Sequence, residues 1–242
     1  NPGVEEPQHV VRTLPPSLAE GVAWLRSQQQ ETGRWADVEQ TAVRDTTEAL
    51  AALGIFGSDP GLELGANWLT GIEPESTDYL ARRLEALALA GSPVTTAVVD
   101  LFARQNPDGG WGSTGSYQSS STDTSLALKA LVRAGQQQNS AALQAATYLS
   151  EHQNDDGGWG GSETFSMVQP SAHSLVALNP YENYPQILAS LERGKSFLLA
   201  KQNTDGGFGN SPSTIYDSSS ALLALGEVGA SAVSTRKAVT YL

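Results

Sequence analysis

The groups best placed to do chemistry in this chain are carboxylates that recur in one register. Asp45, Asp123 and Asp217 each lie seven residues before the alanine of a short apolar ladder, at Ala52-Leu53, Ala130-Leu131 and Ala224-Leu225. Asp78 lies eight residues before Ala86, and Pro170 takes the corresponding place before Ala177. Carboxylates facing one another across a cleft can divide the work of general acid and general base. They can also do no more than begin helices, where an acidic or capping residue contributes about 0.5–2 kcal/mol. Recurrence at the start of successive ladders favours the second role, and Asp45-Thr46-Thr47-Glu48 reads as a capping box. Of the three histidines, His9, His152 and His173, only His173 falls on a ladder segment that can face a cavity. The chain has no cysteine, which removes disulfides, thiolate metal ligands and a cysteine nucleophile together. Its Asp-Gly-Gly strings lack the alternating oxygens and distal Glu of an EF-hand loop, so neither a metal nor a cofactor is expected.

These residues are carried by a repeat. Four segments share Gln, three residues, Gly, one residue and a ring: Gln29 to Trp35, Gln105 to Trp111, Gln153 to Trp159 and Gln202 to Phe208. Ring-to-ring spacings of 76, 48 and 49 residues imply a degenerate copy in the first gap. There Trp68-Leu69 matches Trp24-Leu25, Tyr148-Leu149 and Phe197-Leu198, while Glu73 stands in for Gln and the glycine turn is missing. Asn-Asp-Gly strings stop a helix, because Gly raises the backbone entropy cost and Asn and Asp prefer turns. Each copy therefore reads as two helices, one ending at the Gln and one built on the ladder, whose apolar spacing makes a wide stripe. The abundant alanine predicts close helix approach. Ten helices and the start of an eleventh follow, with no strand pattern.

The bulk properties narrow the partners. A formal charge of -12 disfavours nucleic acid and anionic lipid alike. There is no apolar run long enough to span a membrane. Residues 1–16 read as a leader or linker and residues 17–242 as a single domain. The chain ends within a helical pattern, Lys237 to Leu242, so excision from a longer protein with flanking domains is expected. Four lysines, no cysteine and abundant Ser, Thr and Gln point to an extracellular or cell-surface setting.

The Gln-to-ring frame resembles the QW repeat of squalene–hopene and oxidosqualene cyclases, shared more loosely by protein prenyltransferase β-subunits. The resemblance covers about residues 17–242 and implies an all-α fold, an α/α toroid of the α6-α6 barrel type. About five helix-pair repeats plus one further outer helix are accounted for. In that family Gln29, Trp35, Gln105, Trp111, Gln153, Trp159, Gln202 and Phe208 would be structural. Class II cyclases protonate an alkene with the middle Asp of an Asp-x-Asp-Asp-Thr-Ala string. Here the local echo is Asp37-Val38-Glu39-Gln40-Thr41-Ala42, and alignment by the ladder puts Arg44 at the acid's place. An arginine has no proton to give an alkene. The Asp-Cys-His zinc site of prenyltransferases and the thioester of complement-type toroids both need the absent cysteine.

If the toroid forms, the N-terminal ends of its inner helices surround one mouth of a central cavity. The expected rim is Arg44, Asp45, Glu48, Asp78, Tyr79, Asp123, His173, Tyr216 and Asp217, with Asp45, Asp123 and Asp217 as candidate catalytic acids. Three functions are then in play. The first is a non-catalytic domain binding a small apolar ligand or a protein partner. The second is a divergent class II isoprenoid cyclase, which calls for an aromatic-lined cavity. The third is a structural spacer.

Overall fold

The computed structural model describes residues 16–57, 59–162, 165–230 and 232–242. His9 and the expected leader lie outside these residues, apart from Pro16, which opens α1. Eleven α-helices are present among them: α1 (Pro16–Ser27), α2 (Ala42–Gly54), α3 (Pro60–Thr70), α4 (Thr77–Leu89), α5 (Thr95–Phe102), α6 (Ser121–Arg133), α7 (Ser140–Glu151), α8 (Val168–Leu178), α9 (Pro185–Ala200), α10 (Ile215–Glu227) and α11 (Ala232–Tyr241). The ladder helices α2, α4, α6, α8 and α10 pack side by side in that order and form an inner layer. Each later helix of the other set lies on the inner helix before it: α3 on α2, α5 on α4, α7 on α6, α9 on α8 and α11 on α10. This is the α/α toroid arrangement, five pairs plus one further outer helix.

Local sequence explains the helix limits. Ser76, Ser120 and Thr214 cap α4, α6 and α10 by accepting the N–H of the residue three further on. At the other end the ladder runs into a glycine, as at Gly135 (φ +74), after which the Gln136 N–H returns to the Leu131 carbonyl at 2.8 Å. Leu53, Leu87, Leu131, Leu178 and Leu225 of the ladders are all buried, as are Ala86, Ala130, Ala177 and Ala224. Small side chains at these contacts let the inner helices approach closely.

The Gln-to-ring frame is the joint between repeats. Gln153 Nε2 donates to Gly157 O (2.7 Å) within the turn and to Ser190 O (2.8 Å) on the next outer helix. Gln29, Gln105 and Gln202 repeat this pair of bonds, reaching Gly61, Ala141 and Ser234. Free helix-end carbonyls are served instead by the rings. The indole N–H groups of Trp35, Trp111 and Trp159 donate at 2.7–2.8 Å to the carbonyls of Leu25, Leu101 and Leu149. A third contact completes the joint: the hydroxyl one residue after the recurring acid, or after Pro170 in α8, clasps the ring residue's backbone. Ser171 Oγ accepts from Trp159 N (2.8 Å) and donates to Met167 O (2.7 Å). Thr46, Thr124 and Ser218 likewise accept from Trp35, Trp111 and Phe208, and all four hydroxyl residues are buried.

Two expectations need correction. Two short strands exist, β1 (Trp159–Ser162) and β2 (Phe165–Met167), paired antiparallel. The hydroxyl clasp draws the chain leaving each ring back beside the chain entering the next inner helix. Elsewhere this yields single bridges, Trp111 to Ser120 and Phe208 to Thr214. Four- and three-residue strands leave too little alternation to be read. Next, Asp45 does not begin a capping box. A 3-10 turn at Glu39–Thr41 runs directly into α2, so Asp45 lies within its first turn and Glu48 pairs elsewhere. Within the repeat, Trp24 is 63% exposed although its counterparts Tyr148 and Phe197 are buried. Among the described residues no inner helix precedes α1 to cover this ring.

Candidate functional site

Aligning the five inner helices on their ladder alanines shows what faces the centre. The positions four and one before the alanine are three apart, and residues three apart share a helix face. The earlier position supplies one layer: Glu48 from α2, Arg82 from α4, Leu126 from α6, His173 from α8 and Ser220 from α10. The later position supplies Ala51, Glu85, Lys129 and Leu223. Together with Ala86, Leu89 and Tyr216 they enclose a cavity of about 280 Å³ between the inner helices.

The charges lining it are matched. Arg82 Nε donates to Asp78 Oδ1 at 2.7 Å, and its Nη1 pairs with Glu48. Burial alone would lower the guanidinium's pKa, but the two carboxylates outweigh it and hold the pKa above its usual value. Lys129 Nζ lies 3.0 Å from Glu85 Oε2. The ring of His173 is largely buried, and burial, followed by Lys129 and Arg82, pushes its pKa down to about 4. It is neutral at physiological pH. Its Nδ1 is sealed from solvent without a hydrogen-bond partner among the described residues. Tyr216 stands at the mouth, where its hydroxyl accepts from Gln169 Nε2 at 2.8 Å.

Of the nine expected rim residues, Glu48, His173 and Tyr216 line the cavity. The other six stand at the helix starts. Asp45 accepts from Thr41 Oγ1, Asp123 from Ser120 Oγ (2.7 Å) and Asp217 from Thr214 Oγ1 (2.9 Å). Asp78 serves Arg82, Arg44 lies 3.6 Å from Asp45, and the Tyr79 hydroxyl donates to Gln40 O (3.2 Å). Burial raises the Asp123 pKa, against the lowering effect of Ser120 and with a further push from Asp78. Glu39, in the string that echoes the cyclase motif, lies on an exposed turn paired with Arg34 at 2.8 Å. Sequence reasoning looked at the helix starts and missed the next turn, which carries Arg82, Glu85, Lys129 and Ser220. The ladder alanine itself was the usable signal, since counting back one and four gives the cavity wall. Among the described residues no His, Cys, Asp or Glu cluster could hold a metal.

Residues 84–190 match the sequence profile of the squalene–hopene cyclase C-terminal domain. The ent-copalyl diphosphate synthase of Streptomyces platensis superposes with a TM-score of 0.64 at 20% identity over 81% of the chain. The protein geranylgeranyltransferase-I of Candida albicans, in complex with GGPP, gives 0.62 at 16% identity over 93%. The fold is that of the squalene–hopene cyclase and prenyltransferase toroids. The type II terpene cyclase MstE of Scytonema, in complex with merosterolic acid A, also shares it, with a TM-score of 0.51 at 18% identity. Its coverage is 93% of this chain and 63% of the cyclase. The toroid spans 42% of the Streptomyces enzyme and 85% of the Candida chain. No curated protein matches it in sequence. No helix among the described residues is long and apolar enough to cross a membrane.

Proposed function

We propose that the toroid is a non-catalytic binding domain whose central cavity takes a small, largely apolar ligand. One observation carries this reading: both carboxylates that line the cavity, Glu48 and Glu85, are committed to cations. Protonating an alkene needs a buried acid that keeps its proton, and an adjacent cation favours loss of that proton. Tyr216 is the one Phe, Tyr or Trp ring in the lining, which offers little to a carbocation. The relatives of this fold that hold GGPP or merosterolic acid A support an apolar ligand. An open centre also favours binding over a spacer filled by its own side chains. A place within a larger exported protein fits the small number of lysines and the absence of cysteine.

Asp123 favours a second reading, a divergent cyclase, because its half-buried carboxyl is pushed toward the protonated form. The chain should be incubated with squalene and with geranylgeranyl diphosphate, and the extracts analysed for cyclised products. The binding reading expects substrate returned unchanged. A cyclised product that disappears in Asp123→Asn or Asp45→Asn would establish the cyclase instead.

A further inference from the structure

The cavity has two unlike walls. On α4 and α6 every charge is already answered, Arg82 by Asp78 and Glu48, and Lys129 by Glu85. On α8 and α10 the polar groups are uncharged and have hydrogen-bonding capacity to spare. The neutral His173 ring has one proton to place. An orphaned buried N–H is rarer than an orphaned acceptor, so the sealed Nδ1 keeps the lone pair and Nε2 carries the hydrogen. Nε2 has no protein partner among the described residues and belongs to a side chain that lines the cavity. The Tyr216 hydroxyl receives the Gln169 amide and still has its own hydrogen to give. Ser220 Oγ, beside them, has no protein partner among the described residues. Leu126, Leu223 and Ala86 supply the apolar surface.

We propose that this wall reads an uncharged, mainly aliphatic molecule through one or two acceptor oxygens, a hydroxyl or carbonyl, and that the site rejects the corresponding phosphate. The inference rests on the cavity being a binding site and adds the chemistry of what enters it. A phosphate head would find both cations occupied and three carboxylates, Glu48, Glu85 and Asp78, beside it, in a chain of net charge -12. A charge moved out of water without a free counter-charge is strongly disfavoured. An alcohol oxygen accepting from His173 Nε2 or Tyr216 loses nothing comparable and satisfies an otherwise idle donor.

The matched probes 1-octanol and octyl phosphate separate the possibilities, with affinity read by ligand-observed NMR on the whole chain. Octanol should bind at least tenfold more tightly than octyl phosphate. His173→Phe should weaken octanol about tenfold, the worth of one net hydrogen bond to a buried donor, and Tyr216→Phe, at a residue 58% exposed, should weaken it by less. Thermal melts would confirm that both variants remain folded. Octyl phosphate binding as tightly as octanol would overturn the proposed ligand class while leaving the cavity a binding site. So would octanol affinity unchanged in both variants. If neither probe binds, this proposal and the binding reading fall together.

Discussion

Replacing His173 by Phe should alter how the stability of the toroid depends on pH, by an amount that follows from the cavity. In the fold the imidazole titrates at about 4, because burial and then Lys129 and Arg82 disfavour the imidazolium, while Glu48 and Glu85 are spent on those cations. In the unfolded chain the same ring titrates near 6.5. Between these values the unfolded state holds more protons, so unfolding free energy falls as pH drops through that window. The contribution is complete above about pH 6.5 and lost by about pH 4. At about 1.4 kcal/mol per pH unit, the loss is about 3 kcal/mol. Urea unfolding at pH 7, 6, 5 and 4 on both proteins measures it. Carboxylates such as Asp123 titrate alike in both and cancel in the difference. The wild-type curve should fall about 3 kcal/mol further than the variant's. Parallel curves would mean that His173 is solvated and that its buried setting described above is wrong.

The repeat joints make two further predictions. Gln153→Leu removes the donor to Gly157 and Ser190 and leaves their carbonyls unsatisfied, so it should cost about 2–3 kcal/mol in urea unfolding. Gly157→Ala should cost about 2 kcal/mol or more, because φ is +86 and the new Cβ would lie 2.7 Å from Arg193 O. Gly226→Ala, within α10 and with nothing inside 4 Å, should instead stabilise by up to ~1 kcal/mol in the same assay.

The fold was legible because its joints are short and local. A glycine turn, a Gln amide and an indole recur at fixed spacing, and the same atoms meet in each copy. Pairing of the helices followed from the ladders, since alanine and leucine at helical spacing leave one face to bury. The strands were hidden because they depend on Ser171 gripping Trp159 across the loop, a contact twelve residues long with no periodicity of its own. The cavity wall was hidden for a different reason. Acids at helix starts attract chemical interpretation, but a first turn points toward the rim. Lining falls to the second and third turns, where Arg82, Glu85 and Lys129 resemble ordinary surface charges until five helices are set around one axis. Their partners lie on neighbouring helices, as Glu48 does for Arg82, and one helix read alone cannot show them.

The degenerate second copy has lost its Gln and its glycine turn, and two guanidinium groups occupy that joint. Arg83 donates to the Leu69 and Thr70 carbonyls at the end of α3, and Arg104 to those of Pro74 and Glu75. The remaining joints rest on Gln amide stitches to backbone carbonyls, with an added guanidinium contact only where Arg193 meets Gln153. This one is a cation held against a helix's negative end, and dissolved ions compete for it. Added sodium chloride should therefore loosen this joint at urea concentrations where the amide joints still hold. The toroid has a designated seam, set by one missing glutamine.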